Sequence, residues 1–140
     1  MMKFKNNPTT TEAQSFMLCK AGLKPETADC YIEEDGHVII ARDDNDLSIA
    51  LNFRRLTPAW SLSRLLDILP DEIYVNSRDY KRTLNGDFFT YSHYENGEWR
   101  GNLKFLRVHG LIMAATITML ISLISEGKYI NEEYIIKKKK

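Results

Sequence analysis

Cysteine is scarce in this 140-residue chain: Cys19 and Cys30 are the only two. Two cysteines make no disulfide framework. No apolar stretch follows a basic start to mark an export signal, so both are expected as free thiols in a reducing, cytoplasmic setting. Their spacing from His37 fits no closed zinc pattern, and neither a metal nor another cofactor is implied. A Gly-rich phosphate loop, a nucleophile elbow and an H-E-x-x-H pair are all missing. So is an excess of one charge, since Lys+Arg and Asp+Glu both number 19. Neutrality works against a protein whose affinity comes from neutralising phosphates. The balance is uneven along the chain. Residues 1–136 carry 15 basic against 19 acidic side chains, a net −4, and Lys137–Lys140 restore zero. Such a run is expected as a solvated basic C-terminal tail.

Long hydrophobic runs are also nearly absent. The one exception, Val108–Ser125, is free of Asp, Glu, Lys and Arg. At helical spacing Met113, Ile117, Leu120 and Ile124 share an apolar side with Ile112, Met119 and Leu123, while Thr118, Ser122 and Ser125 gather opposite. That stripe predicts an amphipathic helix packed on a sheet and no membrane partner. The helix is expected over His109–Glu126, with Gly127 as its stop.

What the chain does have is two Asn-Gly pairs, Asn85-Gly86 and Asn96-Gly97, between runs of aromatic and β-branched residues. Asn-Gly supplies the two positive φ angles of a type I′ turn. The pairs predict a three-stranded meander over Asp79–Leu84, Asp87–Tyr94 and Trp99–Val108. Upstream, Thr9-Thr10-Thr11-Glu12 opens a helix with Phe16, Met17, Leu18 and Ala21 as its apolar side and Gly22 as its end. Pro25 to about Cys30 reads as a second short helix. His37–Ala41 and Leu47–Phe53 read as a hairpin joined by Arg42–Asp46, a loop without the glycine and ligand spacing of a calcium site. Ser61 caps a helix with Leu62, Leu65, Leu66 and Leu69 on one side, stapled by Trp60 and ended by Pro70. A short strand follows near Ile73–Val75. The expected fold is α+β: a loose start over residues 1–8, one domain over 9–136, and an antiparallel sheet, hairpin plus meander, packed by amphipathic helices.

Two-residue turns also set faces. They place Tyr94 opposite Trp99, Ser92 opposite Gly101, Thr90 opposite Leu103, and Phe88 opposite Phe105. Beyond the other turn, Thr83 meets Phe88 and Lys81 meets Thr90. The face with Phe88, Tyr94, Trp99, Leu103 and Phe105 is the more apolar and is expected on the C-terminal helix. The opposite face carries Arg78, Tyr80, Arg82, Phe89, Tyr91, His93, Arg100, Asn102 and Lys104. Three readings are open for it. Helices or a second copy cover it, or it receives a protein partner, or its rings and cations hold single-stranded nucleic acid. The candidate binding residues are Arg78, Tyr80, Arg82, Tyr91, His93, Arg100 and Lys104. His93 beside Glu95 is the best acid–base pair for a small enzyme, but no further catalytic group converges on it. A binding or accessory protein with a protein partner, host or self, is the leading expectation.

Two further segments carry a resemblance. Thr11-Glu-Ala-Gln-Ser15, Gly22-Leu23 and Glu26-Thr-Ala-Asp29 form one, and Pro58-Ala-Trp-Ser-Leu-Ser-Arg-Leu-Leu-Asp-Ile-Leu-Pro70 the other. In this order they resemble an uncharacterised family of small proteins from gut bacteria and their phages and mobile elements. That family shows a TxEQS opening, a GL and TAD pair, and a PAWSLS helix start. Ala13, Gln14, Arg64, Asp67 and Ile68 depart from the pattern. The resemblance implies a cytosolic bacterial or phage protein and supplies no catalytic residue.

Overall fold

The computed structural model describes residues 8–127 and 129–136. Most of the expected loose start and the lysine tail lie outside them. Among the described residues seven strands form two antiparallel sheets. The first, in order β2-β1-β3, joins Cys30–Ile32 (β1), Val38–Ile40 (β2) and Thr57–Ala59 (β3). The second, in order β4-β5-β6-β7, joins Glu72–Val75, Arg78–Leu84, Phe88–Glu95 and Glu98–Arg107. Helices α1 (Glu12–Ala21), α2 (Asp44–Ser48), α3 (Leu62–Ile68) and α4 (Ile112–Glu126) complete the α+β fold.

Three helices follow the local chemistry closely. Thr11 and Gln14 make a reciprocal capping box on α1, and Gly22 ends it at φ +114°. Ser61 caps α3, whose Leu62, Leu65, Leu66 and Ile68 are buried. Helix α4 buries Ile117, Leu120, Leu123 and Ile124, leaves Thr118 and Ser125 exposed, and ends at Gly127. No helix among the described residues is long and apolar enough to cross a membrane.

The first sheet differs from expectation. Pro25–Thr27 is only a single 3₁₀ turn, and Cys30 opens a strand instead of closing a helix. Strand β2 pairs back onto β1, with Tyr31 opposite Ile39. The stretch Leu47–Phe53, read above as the second strand of the hairpin, is helical: α2 runs on into a π-type turn over Ile49–Phe53. Asp43 starts that helix by accepting the Asp46 N–H at 2.8 Å. Leu47, Ala50 and Leu51 turn inward at i, i+3, i+4 while Ile49 and Phe53 stay exposed. Phe16 and Met17, expected in the core, also face solvent, because Ser15 and Leu18 are the buried residues of α1. Residues of both sheets and all four helices share one hydrophobic cluster that includes Leu18, Tyr31, Leu47, Trp60, Leu65, Phe89, Tyr91 and Leu120.

Candidate binding face of the four-stranded sheet

At Asn96-Gly97 both residues take positive φ, 52° and 78°, and Tyr94 meets Trp99 as the turn requires. Asn76-Ser77, at φ 52° and 63°, makes a turn of the same hand that joins β4 as a fourth strand. At Asn85-Gly86 neither residue has positive φ. The loop closes instead on Asn85, whose side-chain oxygen accepts the N–H groups of Asp87 and Phe88. Thr83 therefore meets Thr90, and Lys81 meets Ser92, two residues from the expected register. An even shift leaves the faces of β5 unchanged.

Strand β7 carries two register shifts, with Leu103 and Arg100 as the extra residues. Ser92 meets Asn102 rather than Gly101, Thr90 meets Phe105, and Phe88 meets Arg107. Each bulge reverses the alternation and the second restores it. Only the middle of the strand changes face: Asn102 moves to the side of Phe88 and Tyr94, Gly101 moves beside His93, and Leu103, expected with Phe88 and Tyr94, packs against the core instead.

The face expected on the C-terminal helix is the open one, which corrects the sequence-based assignment. Helices α3 and α4 lie against the other face. Tyr91 is fully buried and donates to the Pro70 carbonyl at 2.7 Å; burial raises its phenol pKa, against the nearby Arg82 charge. The Arg82 guanidinium donates to the carbonyls of Leu66 (2.7 Å) and Leu69 (3.3 Å) at the end of α3 and pairs with Asp71 at 2.9 Å. Lys104 reaches Ser122 and Glu126 on α4. Tyr80 is half-buried against the His93 ring at 5.8 Å. A carbonyl only accepts, so His93 Nδ1 donates to the Asp79 oxygen at 2.8 Å, while Nε2 lies 3.2 Å from Glu95. The His93 hydrogen bond holds the Glu95 carboxyl below its ordinary pKa, helped by the charges of His93, Arg100 and Arg78. Arg78 and Arg100 are exposed, and Arg100 pairs with Glu95 and Glu98. The seven candidate residues therefore share one side of the sheet, but its centre is closed.

The open side is aromatic. Tyr74, Tyr94, Trp99 and Phe105 are 69%, 49%, 59% and 49% exposed, and the Phe88 and Phe105 rings stack at 5.8 Å. Trp99 is held in place: its Nε1 donates to Asn102 Oδ1 at 3.0 Å, and the same oxygen accepts from Ser92 at 2.6 Å. Ser92 and Thr90 are buried between the larger side chains and lie 2.9 Å apart. Register places Glu72, Asp79, Lys81 and Arg107 on this face, two charges of each sign. Sequence reasoning found the rings but not Tyr74, Asn102 or Arg107. The two bulges that turn Asn102 outward flank Gly101, and a lone glycine within a strand is the signal they leave in the residue pattern.

The segments that carry the family resemblance meet elsewhere, under the first sheet. Trp60 donates its backbone N–H to Thr10 and its indole N–H to Thr27, both at 3.0 Å. Asp29 accepts from the Ser61 N–H at 2.8 Å and the Ser61 hydroxyl at 2.5 Å, and Arg64 donates to the Thr27 carbonyl at 2.7 Å. The Ser61 oxygen also accepts the Arg64 N–H at 3.1 Å, which caps α3. These hydrogen bonds brace the start of α3 against the segment Thr27–Asp29. Among the described residues no group of three or more His, Cys, Asp or Glu side chains is placed to hold a metal.

No protein-family model, curated protein or solved structure matches the chain.

Proposed function

We propose that this chain is a small binding protein that docks a protein partner on the open aromatic face of its four-stranded sheet. The observation that carries the reading is Trp99, more than half exposed yet fixed by Asn102 and Ser92. A large ring held rigid at a surface loses little entropy on binding, and aromatic anchors of this kind dominate protein interfaces. The charges around it balance, which suits a mixed protein surface. Single-stranded nucleic acid is the second reading, since exposed rings on a sheet stack bases, but this face offers no net positive charge. An accessory role in a phage or mobile element rests on the resemblance alone.

The test compares affinity capture by the wild-type protein and by Trp99→Ala/Phe105→Ala. One partner should be retained reproducibly by the first and lost by the second, with about 2 kcal/mol of binding, or roughly thirtyfold, removed. Both side chains lie about half exposed at the surface, so the variant should stay folded, which circular dichroism verifies. Equal retention by the variant excludes this face. Salt-sensitive binding of single-stranded oligothymidylate that needs Trp99 favours the second reading instead.

A further inference from the structure

A second surface stands apart from the aromatic face. Because α1 turns Ser15 and Leu18 inward, Phe16 and Met17 are left 67% and 52% exposed. They line a hollow of about 850 Å³ together with Cys19, Leu56 and Pro58. Leu56 and Pro58 also line a hollow of about 610 Å³ against Pro25, Leu47 and Leu51, so the two adjoin as one furrow between α1, β3 and α2. Every charged side chain that lines it is acidic: Glu12 in one half, Glu26 and Asp44 in the other. Arg54, close by in sequence, is turned onto Glu33 by two hydrogen bonds of 2.9 and 2.5 Å. Pro58, at the middle of β3, has no N–H to offer an added strand, so recognition here falls to side chains.

An apolar floor with an acidic rim is the complement of an amphipathic segment that carries Lys or Arg beside its apolar residues. We infer that this furrow docks a basic amphipathic segment of a protein partner. It does so independently of the aromatic face.

The probe is a fluorescein-labelled synthetic peptide of Leu and Lys, spaced to form an amphipathic helix, with a Leu/Glu peptide of the same pattern beside it. Fluorescence anisotropy should show binding of the Leu/Lys peptide and none of the Leu/Glu peptide. Phe16→Asn and Glu26→Lys should each weaken binding about tenfold, the effect of losing roughly 1.4 kcal/mol. Asp87→Lys makes the same change of charge on the β5–β6 turn, which does not line the furrow, and should alter binding less than twofold. Trp99→Ala should leave binding unchanged, which separates this furrow from the aromatic face. All four substituted side chains are exposed, and circular dichroism verifies that each variant folds. Equal loss in Asp87→Lys, no loss in Phe16→Asn, dependence on Trp99, or binding of the Leu/Glu peptide would each overturn the proposal.

Discussion

Asp29 gives both carboxylate oxygens to Ser61 and so ties the end of the first inter-element link to the start of α3. Replacing it with alanine leaves the Ser61 N–H and hydroxyl without their charged acceptor. Asp29→Ala should cost about 2–3 kcal/mol in urea unfolding, in the range for hydrogen bonds to a charged group. Ser61→Ala should cost about 1–2 kcal/mol through loss of the cap. The double variant should lose less than the sum, because both changes remove the same bonds. Next to Asp29, Cys30 is buried, and its thiol is pushed up to about 12, first by burial and then by the Asp29 charge and hydrogen bond. Its folded pKa exceeds its unfolded value. The folded state therefore holds the proton longer, and stability present below about pH 9 declines as pH rises toward 12. Cys30→Ala should make that decline shallower in chemical melts across alkaline pH, while wild-type Cys30 should resist alkylation until the protein is unfolded.

The two Asn-Gly pairs look alike in sequence but are not equivalent in the fold. Gly97 sits at φ +78°, where a Cβ is strained, whereas Gly86 has no positive φ and open space around it. Gly97→Ala should cost about 1 kcal/mol or more. Gly86→Ala should be neutral or stabilise by about 0.4–1 kcal/mol through the unfolded chain. Ser77→Gly, at φ 63°, should stabilise, and thermal melts of the three variants order them. Elements with a strong local cause were legible: a hydroxyl cap for α1 among Thr9–Thr11, the Ser61 cap, the α4 stripe and the Asn96-Gly97 turn. Leu47–Phe53 was misread because its β-branched and aromatic residues favour a strand, while the Asp43 cap and the Leu47, Ala50, Leu51 spacing decide for a helix. The faces of the meander were told apart but assigned the wrong way round. Both carry large rings, and the choice was made by α3 and α4, whose carbonyls and carboxylate receive Arg82 and Lys104 through contacts far apart in sequence.

At the scale of the whole molecule, the first sheet contributes Tyr31 and the second contributes Phe89 and Tyr91 to one hydrophobic cluster. The two sheets should therefore unfold together. Trp60 is buried in the brace, and Trp99 is exposed on the open face, so the two tryptophans report different regions. In Trp99→Phe the Trp60 fluorescence transition in urea should coincide with loss of far-ultraviolet circular dichroism. Separate transitions would mean that the sheets stand alone.

The paired bulges of β7 have one more consequence. This strand is an outer rail of its sheet, ten residues long, and a straight rail of that length invites another chain to extend the ladder without limit. Two interruptions break the even spacing of its outward N–H and carbonyl groups, while the opposite rail, β4, has only four residues. Growth by stacking strand upon strand is discouraged at both ends. A partner of the kind proposed above would have to land flat on the rings, so that assembly should stop at one complex instead of running on into a fibre.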